Sequence, residues 1–138
     1  MSRHCVLLFL LLSLVACASG RKVDYAHAYP SVPQVFAKAV EVQVIDERPY
    51  VLSGNKSGTF VGLTRGSYYI PFDVSTRSGK PLVEDLQQSL LGGFEHQGIV
   101  ARGVGESARR ASSPDALLLS LHVREWKSER FMGVVLTL

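Results

Sequence analysis

Few side chains in this sequence carry reactive chemistry, and most of them stand apart. Two thiols are present, Cys5 and Cys17. A thiol can serve as nucleophile, metal ligand, disulfide half or attachment point. His27, His96 and His122 are too widely separated to suggest a metal site. No serine lies in a Gly-x-Ser-x-Gly setting. Ser53-Gly54-Asn55-Lys56-Ser57-Gly58 has the glycines and lysine of a phosphate loop but not their spacing, and no helix follows directly, so it reads as a surface turn. Asp46, Glu47 and Arg48 close a strand, where mutual pairing explains them better than a ligand does. Glu84 and Asp85 suit the first turn of a helix, where the dipole favours acid. These residues imply no catalytic group, no metal and no enzyme. The best binding lead is Ser67-Tyr68-Tyr69-Ile70-Pro71-Phe72, in which Tyr68, Tyr69 and Phe72 lie beside glycines and can stack on sugar rings or grip a partner.

Cys17 acquires meaning from what precedes it. Arg3 supplies a short positive start, and Cys5 to Val15 is apolar apart from Ser13. That length suits an export signal and falls short of the roughly 20 apolar residues a membrane-spanning helix needs. Cleavage after a small residue, at Ala16, Ala18 or Ser19, would make it an ordinary secretory signal. Leu14-Val15-Ala16-Cys17 instead resembles the lipobox of bacterial lipoproteins, an aliphatic and a small residue ahead of a cysteine. The resemblance implies a diacylglyceryl thioether on Cys17, cleavage just before it, and acylation of the new amine. Each buried methylene contributes about 0.8 kcal/mol, so two or three acyl chains hold firmly where one holds marginally. Residue 18 is Ala rather than Asp. By resemblance to enteric lipoproteins this points to the outer membrane, with the domain in the periplasm. Covalent lipid on Cys17 is then the only non-protein group implied, with no cofactor.

The chain has 138 residues, and 122 remain once 16 are removed. That suffices for one domain with a modest core. The formal charge of +3 falls to +2 without Arg3, and no dense basic block appears. Nucleic acid is therefore not an expected partner. With Cys5 lost and Cys17 acylated, no disulfide is possible even in an oxidising compartment.

The elements that must position the binding lead follow from pattern. Residues 17–38 read as the lipidated cysteine and a flexible tether, and 39–138 as a small α+β domain. Within the tether Tyr25, His27 and Tyr29 alternate, to pack on the domain or to sit at a membrane interface. Val40, Val42 and Val44 alternate with Glu41 and Gln43, which predicts a strand ending at Asp46, before Pro49. Thr59 to Val61 and Ser67 to Ile70 are expected as short strands of a hairpin turning at Gly62 to Gly66. Pro81 to Gln97 is expected as a helix, with proline at its start and Gly98 after its end. Leu82, Val83, Leu86, Leu90 and Phe94 would form its buried stripe, joined by Gly93. Ile99 to Arg102 follows as a strand, 103 to 115 as a polar loop, and Ala116 to Glu125 as a strand with Leu117, Leu119, Leu121 and Val123 on one face. Residues 126 to 130 suit a turn and Phe131 to Leu138 a further strand, inside which the chain stops; the expectation is either a closing edge strand or, preferred, a domain truncated at its C-terminal end. The pattern predicts a two-layer α+β sandwich, a mostly antiparallel sheet covered by one main helix.

The lipobox, Val42-Gln43-Val44-Ile45-Asp46-Glu47-Arg48, the helix and glycine turn of Leu82 to Gly98, and the alternating Asp115 to Val123 together resemble the YajG-type family of small bacterial envelope lipoproteins. The resemblance implies location and fold more than mechanism. The expected function is an outer-membrane-anchored, non-enzymatic binding or structural module. Its partners would be membrane lipid through the anchor and an envelope protein or cell-wall glycan. The alternative is an accessory subunit of a lipid or lipopolysaccharide transport complex.

Overall fold

The structure is a computed structural model, and it describes residues 20–32, 39–112 and 114–131. Cys17, the export signal and the expected strand beyond Phe131 lie outside the described residues. The order is β1 (Lys22–Val23), β2 (Ala39–Asp46), α1 (Pro49–Leu52), β3 (Phe60–Arg65), a 3-10 turn (Ser67–Tyr69), β4 (Pro71–Thr76), α2 (Leu82–His96), β5 (Ala101–Gly103), β6 (Ala116–Val123) and β7 (Ser128–Phe131). Among the described residues, no helix is long and apolar enough to cross a membrane.

The chain is a mixed α and β protein with one main helix and two sheets, ordered β1-β4-β3-β7 and β5-β2-β6. The expectation of a mostly antiparallel sheet is corrected. Among the described residues only β3 and β4 run antiparallel, whereas β1 with β4, β2 with β5, β2 with β6 and β3 with β7 are parallel. Alternation reports which side of a strand faces the core and says nothing of its direction. Parallel neighbours need long crossovers, and this chain supplies them, with the hairpin and α2 between β2 and β5 and a polar loop between β5 and β6.

That topology changes what the β2 pattern means. Val40, Val42 and Val44 are buried as expected, in a core shared with Val61, Val74, Leu82, Phe94 and Val123. Fully burying each such side chain contributes about 1.5–3 kcal/mol. Glu41 and Gln43, on the opposite side, are buried too. A parallel sheet is usually covered on both faces. Here the second cover is the loop after β5. Gln43 Nε2 donates to the Gly105 carbonyl at 2.9 Å and its Oε1 accepts from Ser120 Oγ at 2.8 Å. Glu41 accepts from Arg102 at 2.5 Å, from the Ser112 amide at 3.0 Å and from the Ser112 hydroxyl.

The helix forms as its signals require, with Leu82 and Phe94 buried. Its other buried positions, Asp85, Ser89 and Gly93, face a cover that periodicity does not reveal. Where a flexible tether was expected, residues 20–32 are folded onto the domain. Ser89 Oγ donates to the Ala28 carbonyl at 2.5 Å, and Gln97 Nε2 to the Val32 carbonyl at 2.7 Å. A Cβ on Gly93 would lie 2.6 Å from the Pro30 carbonyl oxygen, so only glycine lets this segment approach. Tyr25 stacks edge-on against Trp126 with centroids 5.5 Å apart, and Tyr29 packs on His96 at 4.6 Å. The aromatics of this stretch therefore serve the domain.

Candidate functional site

The hairpin is displaced from its expected position. Gly62 is not at its turn but inside β3, where β7 passes so closely that a Cβ would strike the Ser128 backbone. The turn is instead Gly66 to Ile70, so Ser67 to Ile70 is not a strand. Its ends are tied by the Gly66 amide donating to the Ile70 carbonyl at 3.0 Å, and the Tyr69 amide donates to the Gly66 carbonyl at 3.2 Å. Tyr68 and Tyr69 both take left-handed backbone conformations, with φ 61° and 59°. A bulky residue held there costs on the order of 1–3 kcal/mol. Glycine or asparagine would fill these positions with less strain.

The strained turn presents an apolar tip. Tyr68 is 93% exposed, Tyr69 71% and Ile70 53%, and Pro71 beside them is exposed. The structure brings Tyr68 and Tyr69 together but sets Phe72 apart from them. Phe72 is half-buried, opposite Thr64, with its ring beneath Gly66, where an added Cβ would lie 2.9 Å away. Phe72 supports the tip from below. Ile70 belongs to the tip, although the sequence pattern placed it in a strand.

The remaining candidates resolve into structural partners. Arg48 is completely buried. Its Nε and terminal nitrogen donate to both oxygens of Asp46 at 2.8 and 2.6 Å, and its other donors reach the carbonyls of Phe60 at 2.6 Å and Gly58 at 3.0 Å. This clamp ties the end of β2 to the start of β3. Glu47 pairs with His122 at 2.6 Å and Arg124 at 3.1 Å, and the His122 hydrogen bond, ahead of Arg124, holds the Glu47 carboxyl below its ordinary range. Lys56, the lysine of the turn that superficially suggests phosphate binding, is held by Asp73 at 2.7 Å. His27 bonds Asp24 at 3.1 Å. Among the described residues no three His, Cys, Asp or Glu side chains converge as a metal site.

A cleft of about 380 Å³ opens between the start of α2 and the carboxyl end of β2, lined by Val44, Val51, Val83 and Val104 with Glu84 and Glu106. Its other polar groups are engaged: Asp46 by Arg48, and Gln87 by the carbonyls of Val42 at 2.7 Å and Val104 at 3.0 Å. Glu84 and Glu106 are the cleft's remaining carboxylates among the described residues. No family model, curated protein or solved structure matches the chain.

Proposed function

We propose that this chain is an outer-membrane-anchored periplasmic lipoprotein whose folded domain is a non-enzymatic binding or structural module of the cell envelope. The observation that carries the reading is Leu14-Val15-Ala16-Cys17 at the end of an apolar run too short to span a membrane. In this reading the helix and the β5-β2-β6 sheet form the two layers of a small scaffold, and the hairpin tip of Tyr68, Tyr69 and Ile70 meets another component of the envelope. Support for the contact comes from the tip itself. Two tyrosines are highly exposed on left-handed backbone, and strain of this kind clusters at functional sites.

The test is Cys17→Ser. Wild type should incorporate labelled palmitate and lose its first 16 residues. The variant should do neither and should accumulate as the longer precursor. Palmitate incorporation that survives the substitution would sink the lipoprotein reading. A second reading, an accessory subunit of an envelope lipid or lipopolysaccharide transport complex, draws on β6. That strand lies at the edge of its sheet with Leu117 and Leu121 exposed, an apolar surface suited to protein contact. It requires stable co-purification with a membrane complex, and a monomeric detergent extract would count against it.

A further inference from the structure

The path of the chain start relative to the hairpin bears on which envelope component the tip meets. β1 pairs with β4 in parallel, Lys22 opposite Ser75 and Val23 opposite Thr76. The Ser75 amide donates to the Arg21 carbonyl at 3.0 Å, and Gly20 lies so close to the Asp73 carbonyl that no Cβ would fit. From Val23 back to Gly20 the chain therefore runs toward the tip end of β4. Cys17 is three residues further back. Three residues span at most about 11 Å when fully extended. Going from Asp73 to Ile70 along β4 is also three residues, about 10 Å. A bilayer holding acyl chains on Cys17 thus lies within a few residues' reach of the end of the sheet from which the tyrosines project.

We propose that the tip of Tyr68, Tyr69 and Ile70 is seated in the interfacial layer of the same bilayer that holds Cys17, so the domain is fixed to the membrane at two points. The proposal rests on acylation of Cys17 as read above, and it names the lipid–water interface as the component the tip meets. Tyrosine suits that layer because its ring is apolar and its hydroxyl remains wet. The tip is presented ready-made, since the turn's backbone bonds hold it and the left-handed residues turn both rings outward. Arg21 and Lys22 are exposed on the adjoining segment, Lys22 opposite Ser75 and farther from the tip, and a basic residue that comes near anionic lipid is worth about 1 kcal/mol. The nearest acid along β4, Asp73, is neutralised by Lys56 at 2.7 Å, and Glu129 pairs with Arg65 and Lys127 at 3.7 and 3.2 Å.

The test uses the full chain processed in cells and reconstituted into vesicles of phosphatidylethanolamine and phosphatidylglycerol. Tyr68→Cys, Tyr69→Cys and, as a helix-surface control, Glu95→Cys each carry an environment-sensitive fluorophore. Intact mass reports acylation of Cys17 separately, and circular dichroism reports folding. The expected result is that lipid brominated near the glycerol end of its acyl chains quenches the labels at 68 and 69, while aqueous iodide quenches them about fivefold less than the label at 95. Equal iodide quenching at all three positions, with Cys17 acylated, overturns the membrane seat and leaves the lipoprotein reading standing. An unmodified Cys17 overturns both. Labels protected in native envelopes but open to iodide in vesicles assign the tip to a protein or glycan, which also overturns the proposal.

Discussion

The clamp at the end of β2 and the tip of the β3–β4 hairpin invert the usual distribution of residue types in opposite ways. At the clamp a guanidinium is completely buried, and its donors are met by Asp46 and two carbonyls. At the tip two tyrosines are exposed on strained backbone. The buried charge is explained by its partners, all within the domain. The tip instead sets large rings in water on left-handed backbone. A polar group taken from water must be matched at once, or it costs stability. An apolar group left in water costs the fold little, and so it can be kept for something outside the domain. The clamp is accordingly architecture, and the tip is the surface proposed above to meet the bilayer.

Four measurements break or sharpen that contrast. Arg48→Met should have the largest effect. It removes the guanidinium from Asp46, which keeps only the residue-48 backbone amide, and from the carbonyls of Gly58 and Phe60, a loss of about 3–5 kcal/mol in urea unfolding. A loss under about 1 kcal/mol would mean that the clamp is not what joins β2 to β3. Asp85 tests the rule from inside the domain. It is buried in the first turn of α2, and among the described residues its two carboxylate oxygens are the only buried side-chain polar atoms without a hydrogen-bond partner. The helix dipole offers it about 0.3–1 kcal/mol, less than the roughly 1–3 kcal/mol of an unmatched buried polar group. Asp85→Leu should therefore stabilise the domain by about 1–3 kcal/mol. Destabilisation would show that the carboxylate is matched in solution.

At the tip, Tyr68→Asn should raise stability by up to about 1 kcal/mol, because asparagine accepts a left-handed backbone more readily than tyrosine. A clear loss in thermal unfolding would make Tyr68 part of the architecture and erase the contrast. The finest probe is pH. Hydrogen bonds from Ser112 and then Arg102 lower the Glu41 carboxyl from its ordinary 4.5 to about 2. A depressed folded-state value means that the unfolded chain takes up the proton first. This stabilisation is therefore complete above pH 4.5 and lost as the pH falls toward 2. Unfolding midpoints followed through that window should fall more steeply for wild type than for Glu41→Gln. Identical slopes would show that the loop over β2 does not hold the carboxylate.

Much of the scaffold is legible in the sequence, because periodicity directly reports one-sided burial. Val40, Val42 and Val44 marked β2, Pro81 and Gly98 bracketed α2, and the alternating leucines marked β6. Strand direction is not legible, since a parallel and an antiparallel neighbour bury the same alternate residues. The depth of Glu41 and Gln43 was also hidden. Their cover is a polar loop more than 60 residues away, with no apolar pattern of its own. The same holds for residues 20–32, whose attachment to α2 runs through backbone carbonyls that carry no residue signature. At the tip, composition singled out Tyr68 and Tyr69. It also suggested Phe72, because whether an aromatic points outward or supports a turn depends on where the hairpin bends.

By itself the sequence determined β2, α2 and β6, the apolar faces of β2 and α2, and that Asp46 and Arg48 belong together. Local spacing carries that information, because neighbours along the chain are neighbours on a helix or strand face. Only the tertiary structure decided that the sheets are largely parallel, that Arg48 and Glu41 are buried, and that residues 20–23 lie beside β4, Gly20 nearer than Val23 to the exposed tyrosines. Those features arise from contacts between segments far apart in the chain, and no local pattern records them.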